Sequence, residues 1–474
     1  MTADFGVRTA DGAADGSDLE REVPVTGHSE PVGRRPQVAV SRSQSVVRSP
    51  QSLLWINHFA ATPAMGGGTR HVELGRELVR RGWDVRIFAS DLGLHSRRYH
   101  ARKGPSDRRV IREAIDGVDL DWLWAAPYER NDHRRVYNWL SFSMSVLGAP
   151  MRHRPDVIIG SSPHLFAALA GWLLAKRLRR PFVLEVRDLW PESLAIAGQQ
   201  SGIGYHGLAA LARSLYRVAN RIIVLAEGVR EYLVERGVPR EKIVFVPNGV
   251  DASAFADVAP PARDRLRLVY AGAHGPANGL DVVLDAAAML GYEPRVEFVL
   301  VGDGVEKPKL IRHAEEMGLT NVRFMDPVPK SAMPALLADC DAGLMVLKDL
   351  PLFSFGVSPN KLFDYWGASL PVVCNVPGEV GGLVAQARGG VQAEDGTAAG
   401  LAAAIRKMLT LEPAERRALG LSGQEWVTRE RDRPVVAARL EKALHELLRS
   451  SSGAALSIDR QALSADNSHT AADR

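Results

Sequence analysis

Strand-sized apolar runs alternate with helix-sized amphipathic ones along most of this chain, and that alternation restricts it to a parallel α/β architecture. SLLWIN at 52–57 is followed by a Gly-rich turn, a helix through VELGRELVRRG and the strand DVRIFAS. The rhythm resumes with DVIIGSS at 156–162, a helix over 165–178, PFVLEV to residue 186, a helix over 207–219, RIIVLA at 221–226 and IVFVPNG. A second round opens with LRLVYAG at 266–272 and continues through helix 279–290, RVEFVLVGDG, helix 306–317, NVRFMDPV, helix 331–338, AGLMVL, helix 359–368 and PVVCNV. Periodicity lapses over 248–265, where Pro and Asp are frequent, so two doubly wound domains in tandem are expected. Residues 1–48 and 450–474 are too polar to offset the entropy of ordering and are expected to be disordered tails. Residues 423–448 suit a last helix, kinked or broken at Pro434, that docks against either domain.

The 474 residues are 46% hydrophobic, enough for sizeable cores, and the net charge of +4 is too mild to mark a nucleic-acid binder. Only Cys340 and Cys374 occur, which leaves no disulfide framework and suits a reducing cytoplasm. No apolar run reaches the ~18 residues of a membrane-spanning helix, and the N-terminus has no apolar signal core. Neither secretion nor insertion is expected.

The stretch FGVSPNKLFDYWGASLP, residues 355–371, concentrates the chemistry. Ser358 suits the N-cap of a helix and Pro359 its first position, where a missing N–H costs nothing. Lys361 then falls in the first turn, where a cation opposes the positive end of the helix dipole unless an anion lies between them. A bound phosphate resolves that misfit, and Asp364, one turn on along the same face, is placed to accept two ribose hydroxyls. An ordinary Ser-Pro helix start with a solvated lysine is the competing view.

On the first half of the chain, Gly66, Gly67 and Gly68 follow the first strand and let backbone approach a phosphate or sugar. Arg187, Asp188 and Glu192 follow the apolar strand PFVLEV, at a carboxyl edge where open α/β sheets place ligands. Asp188 is the candidate for orienting or deprotonating an acceptor hydroxyl, and Arg187 for contacting a diphosphate. The alternative is an ion pair from Arg187 to Asp188 or Glu192 that only fixes the loop. His58 and His164 are candidate bases, or histidines that satisfy local hydrogen bonds. Asp339-Cys340-Asp341 is taken as a helix end, with no metal site expected.

GGGTRHVELGRELVRRGWDV, PFVLEVRDLWPESL, IVFVPNGVD, YAGAHGPANGLDVVLDAA, FVLVGDG, NVRFMDPVPKSAMPALLADCD and SPNKLFDYWGASLPVV, in that order, resemble the retaining, family 4-like glycosyltransferases of the GT-B fold. The likeness spans residues 52–448 and is nearest to members that build bacterial surface polysaccharides. It implies an α/β protein of two Rossmann-like doubly wound domains facing across a cleft. Residues 49–250 would form the acceptor-side domain, 251–422 the nucleotide-sugar domain, and 423–449 a helix crossing back to the first. It further implies a UDP-sugar donor of hexosyl or N-acetylhexosaminyl type, transferred without metal to a lipid-linked or glycan acceptor.

Residue by residue, the resemblance puts Asp364 in the place of a glutamate that holds the ribose. It puts Gly356 where a second glutamate would contact the sugar, and Ala273 and Asn278 where a basic pair would meet the diphosphate. That burden would pass to Lys361, to His274 and to the amides of Ser358, Asn360 and Lys361, each also a catalytic or donor-binding candidate. Asp326 and Val328 would border the base, with Gly302 and Gly304 allowing close approach. A nucleotide-sugar epimerase of similar shape and a catalytically silent partner subunit are the alternatives.

VYNWLSFSMSVLGAPM, residues 136–151, is apolar and aromatic with arginines on both sides. It suits either a helix lying on the anionic inner face of the cell membrane or a core helix with solvated ends.

Overall fold

The structure, a computed structural model, describes residues 51–469 except 64, 66–67, 94–95, 130–131, 153, 163, 198–201, 256–264, 351–352 and 354. The N-terminal tail, Gly66 and Gly67 therefore lie outside the described residues.

One eight-stranded sheet holds the first half of the chain in the order β3-β4-β2-β1-β5-β6-β7-β8. Its strands are β1 (Ser52–Ile56), β2 (Asp84–Ser90), β3 (Ile111–Ile115), β4 (Val118–Leu123), β5 (Val157–Ser161), β6 (Phe182–Val186), β7 (Arg221–Val224) and β8 (Ile243–Phe245). All pairings are parallel except β3 with β4. A second sheet, wholly parallel, runs β11-β10-β9-β12-β13-β14, from β9 (Leu266–Ala271), β10 (Val296–Val301), β11 (Val322–Met325), β12 (Ala342–Met345), β13 (Val372–Cys374) and β14 (Gly390–Gln392). In each sheet the strand order reverses once, between β1 and β5 and between β9 and β12, and such switch points leave a crevice at the carboxyl ends of the strands.

The central strands are largely apolar runs because each sheet carries helices on both faces. Leu54 and Ile56 of β1 enter one core while Leu53 and Trp55 enter the other, following the two-residue period of a strand. Leu268 and Tyr270 against Val269 repeat the division in β9.

The chain crosses between the domains twice. The first crossing is the linker at Asn248–Val250. The second separates α12 (Pro413–Arg431) from α13 (Arg433–His469). The two lie side by side: Val250 N donates to Arg431 O at 3.0 Å and Arg433 N to Val250 O at 2.9 Å. A Cβ on Gly249 would fall 2.1 Å from Arg431 O, so only glycine permits that approach. Trp426 of α12 stays in the second domain, edge-on to Trp366, while Val436, Leu440, Leu444 and Leu447 of α13 join the core of the first. The stretch from residue 423, expected to be a helix kinked or broken at Pro434, is divided between two helices. The break falls at Asp432, whose carboxylate accepts from Ala252 N and Arg433 N, and Pro434 sits in the first turn of α13, where its missing N–H breaks no bond. The last helix also continues to His469, past the boundary expected at 450; the Ala, Leu, Gln and Arg of that segment favour helix once it extends an existing one.

Candidate active site

α9 (Asn360–Gly367) begins beside the β9/β12 switch point. Its N-cap is Pro359 and no side chain caps it, so the expected role of Ser358 is corrected. Ser358 is diverted to the linker: its Oγ accepts from Asn248 N at 2.9 Å and its carbonyl from Asn248 Nδ2 at 3.0 Å. The amides of Asn360 and Lys361 head the helix uncapped by any side chain.

Lys361 Nζ lies 3.1 Å from Tyr270 Oη and 4.4 Å from that ring's centroid. Tyr270 donates its own hydroxyl proton to Ala273 O at 2.8 Å, so its oxygen can only accept from the lysine. Burial pushes the ammonium down to about 8, still mainly charged at neutral pH, and no carboxylate among the described residues pairs with it. One turn on, the carboxyl of Asp364 is pushed up to about 6 by burial, against the pull of Lys330 and Arg433.

His274 is fully buried, and neither ring nitrogen has a hydrogen-bond partner. Burial, then the nearby Lys307, push it down to about 4, so the ring is neutral. Gly302 presses against this loop: a Cβ there would fall 1.8 Å from Gly272 O and 3.3 Å from His274 Cδ2. Lys307, which the sequence did not single out, ties the floor together by donating to Gly302 O at 2.9 Å, Met325 O at 3.0 Å and Asp326 Oδ1 at 2.9 Å. Val328 lies beyond on the same strand end, packed against the core beneath α9.

Across the cleft, Gly68 meets Arg187: a Cβ on the glycine would come 3.4 Å from the guanidinium. Arg187 forms no ion pair with Asp188 or Glu192, and its buried Nε has no partner. Glu192 instead accepts from Tyr232 Oη. Asp188, just past the end of β6, has an exposed side chain; desolvation of its carboxyl raises it and Arg187 opposes the rise.

Beneath this surface lies a buried network missed in the sequence. Glu185 of β6 accepts from Arg70 Nε at 3.0 Å and from Ser161 Oγ at 2.5 Å, and His71 Nε2 stands 3.0 Å away. Arg70 also donates to Val246 O at 2.7 Å and Pro247 O at 2.5 Å, anchoring the chain as it enters the linker. Burial opposes charge on Glu185, but His71 and Arg70 outweigh it and hold the carboxyl far below its usual range. The signal was present: a lone glutamate inside the apolar run PFVLEV demands a buried partner.

His58 and His164 are not exposed bases. His58 Nδ1 and His164 Nε2 are 2.7 Å apart, His164 Nδ1 caps α3 (Leu165–Leu178) by accepting from Ala167 N, and both rings stack in an aromatic cluster with Phe59, Phe142 and Trp139. Burial keeps both neutral.

The two strand-end surfaces meet. Glu73, in the first turn of α1 (Arg70–Arg80), accepts from Lys330 Nζ at 2.5 Å and is paired with Arg433. The same three charges surround Asp364 electrostatically. Among the described residues no group of three or more His, Cys, Asp or Glu could hold a metal ion. Asp339 closes α8 (Met333–Ala338) and pairs with Arg267, whose amide donates to Asp341 at 2.8 Å.

Two doubly wound domains whose switch points confront one another across a cleft make this the GT-B architecture. Residues 65–249 match the glycosyl transferase 4-like domain and residues 265–411 the glycosyl transferases group 1 domain. The chain is 31% identical over 296 residues to the putative colanic acid biosynthesis glycosyl transferase WcaI of Escherichia coli, covering 58% of this chain and 72% of that protein. It is 24% identical to the probable glycosyltransferase WbjE of Pseudomonas aeruginosa, over 49% of this chain and 60% of that one. Among solved structures, sucrose-phosphate synthase of Thermosynechococcus elongatus superposes with a TM-score of 0.67 at 19% identity, over 84% of this chain and all (100%) of the other. HepE of Anabaena, solved with UDP and glucose, gives 0.62 at 16% identity over 84% and 100%. The chain belongs to the glycosyltransferases that combine a 4-like N-terminal domain with a group 1 C-terminal domain.

Proposed function

We propose that this glycosyltransferase moves a hexosyl or N-acetylhexosaminyl group from a UDP-sugar, with retention and without metal, to a lipid-linked glycan during cell-surface polysaccharide assembly. The names of WcaI and WbjE support the polysaccharide role, and the UDP complexes of HepE support the donor. One observation carries the donor site: Lys361 is held without a carboxylate partner beside the uncapped start of α9, at the switch point of the second sheet. Fixed positive potential there stabilises the departing diphosphate, whose charge grows as the glycosidic bond breaks. His274, neutral and unpartnered, has one donor and one acceptor to offer the same ligand. Asp364 accepts the ribose hydroxyls, and Arg187 with Gly68 completes the diphosphate clamp from the other domain. Asp188 orients the acceptor hydroxyl.

A thermal-shift series with UDP, GDP, ADP and their sugar conjugates tests this reading. Binding to the native state adds RT ln(1 + [L]/Kd), about 2.7 kcal/mol at a hundredfold excess over Kd, so the cognate diphosphate must raise the melting temperature. No shift with any of them refutes the donor site. Ribose binding by ionised Asp364 also sets a pH dependence. Protonation removes its acceptor capacity, so donor affinity is expected to hold above pH 6 and to fall as the pH drops through about 6. Asp364→Asn flattens that profile; calorimetry across the range measures both.

The acceptor side carries the membrane proposal. α2 (His133–Gly148) buries Trp139, Phe142 and Val146 but turns Val136, Tyr137, Leu140 and Met144 to solvent, the last 67% exposed. Those four residues form one apolar stripe at helical spacing, with exposed Arg134, Arg152 and Arg154 at its ends. Reversible docking on the anionic inner leaflet places the cleft near a lipid-linked acceptor. Wild type is expected to sediment with vesicles containing anionic lipid at low salt, and Leu140→Glu with Met144→Glu to stay in the supernatant.

A further inference from the structure

Gly356 stands where the family resemblance places a glutamate, yet the site does not lack a carboxylate. Its backbone is left-handed, with φ +90°, and a Cβ there would fall 2.2 Å from Glu379 Oε2. The space beside Gly356 is thus filled by the side chain of a residue 23 positions later, at the first turn of α10 (Glu379–Ala387).

The carboxylate is fixed from the opposite domain. Glu379 Oε1 accepts from Glu227 N at 2.9 Å and Oε2 from Gly228 N at 3.1 Å, the first amides of α5 (Glu227–Glu235). An anion is favoured at a helix N-terminus, so the position is electrostatically stable. The backbones crowd around it: a Cβ on Gly228 would come 2.5 Å from Phe355 O. Each carboxylate oxygen spends one acceptor site on an amide and keeps another, and the side chain is only half-buried. Glu227 and Arg431 are the other charged groups that interact with it.

We propose that Glu379 supplies the carboxylate that binds the hydroxyls of the donor's sugar, in place of the side chain absent at Gly356. This rests on the donor site at α9, because Gly356 leads directly into Ser358 and Lys361. The hydroxyl-bearing hexose of a nucleotide sugar is the ligand class. Placing the carboxylate on α10 and seating it on α5 makes sugar recognition depend on both domains.

The test uses the full chain and calorimetry with UDP, GDP and ADP and the glucose conjugate of each; UDP-galactose, UDP-N-acetylglucosamine and GDP-mannose complete the series. Wild type that binds no nucleoside diphosphate overturns the donor reading, and this inference with it. Given a cognate diphosphate, Glu379→Gln and Glu379→Ala are expected to weaken the best-bound sugar conjugate at least tenfold while leaving the free diphosphate within about twofold. Equal weakening of both ligands, or of neither, overturns the proposal, since a carboxylate that only locks the domains would not distinguish them. Where Glu379→Ala loses melting temperature, Glu379→Gln, which keeps one amide contact and the side-chain volume, decides the matter.

Discussion

Lys361→Ala is expected to lower turnover by about 10²- to 10³-fold at saturating donor, the cost of deleting one preorganised charge that acts on a developing anion. The lysine is well placed for such an effect. Its Cε lies 3.1 Å from where a Cβ on Gly272 would be, and its Nζ rests over Tyr270, so the ammonium is positioned before any ligand arrives. Lys361→Arg should recover little, because a planar guanidinium does not fit between Gly272 and the tyrosine ring. The melting temperature should change little, as removing a partly desolvated charge that has no carboxylate partner relieves a burial cost. Initial rates with the cognate sugar nucleotide, measured beside the melting curve, check both halves. Unchanged turnover would remove Lys361 from the site.

Glu185→Ala is expected to be the most damaging change for stability, by about 3–5 kcal/mol, because it leaves the buried Arg70 charge uncompensated. The loss should appear as a fall on the order of 10 °C in melting temperature for a domain of this size. Wild type should also be sensitive to acid, with a definite sign. Burial holds His71 down to about 4 and His164 down to about 3, and His58 is lowered as well. Each folded value lies below the unfolded one near 6.5, so the unfolded chain takes up protons first as the pH falls. Stability from these groups is complete above about pH 6.5 and is lost progressively below it, down to about pH 4 for His71 and about pH 3 for His164, with a limiting slope of about 4 kcal/mol per pH unit for three protons. Glu185, whose folded value is also depressed, extends the loss below the ordinary carboxylate range. Urea titrations at pH 7.5, 6.0 and 5.0, chosen to bracket that window, measure the slope; stability that does not change between them sinks the account.

The doubly wound domains were legible because parallel strands covered on both faces are continuous apolar runs, as in PFVLEV and FVLV. The β3–β4 hairpin was not, since IREAI and VDLDWL mix charges into an edge of the first sheet. Its signal was Asp116-Gly117, which takes positive φ at both positions, 51° and 83°, as a two-residue hairpin turn requires. Lys361, Asp364 and Arg187 stood out because charge at a helix start or a strand end is locally anomalous. Ser358 misled for the same local reason: its best partner, Asn248, is 110 residues away. Glu73 with Lys330 and Arg433, and Glu379 with the start of α5, join distant segments and leave no mark in either segment alone.

The paired crossings at Val250 and Asp432 restrict how this enzyme can open. Two covalent passages laced together by main-chain bonds behave as a double-pinned door. A swing about the line through the pins keeps the lacing intact, whereas a twist or slide of one lobe over the other must tear it. Substrate entry and product exit are thereby channelled into a single rocking coordinate, with Arg433 of the pinned crossing paired to Glu73 and Lys330 reaching the same carboxylate from the other lobe.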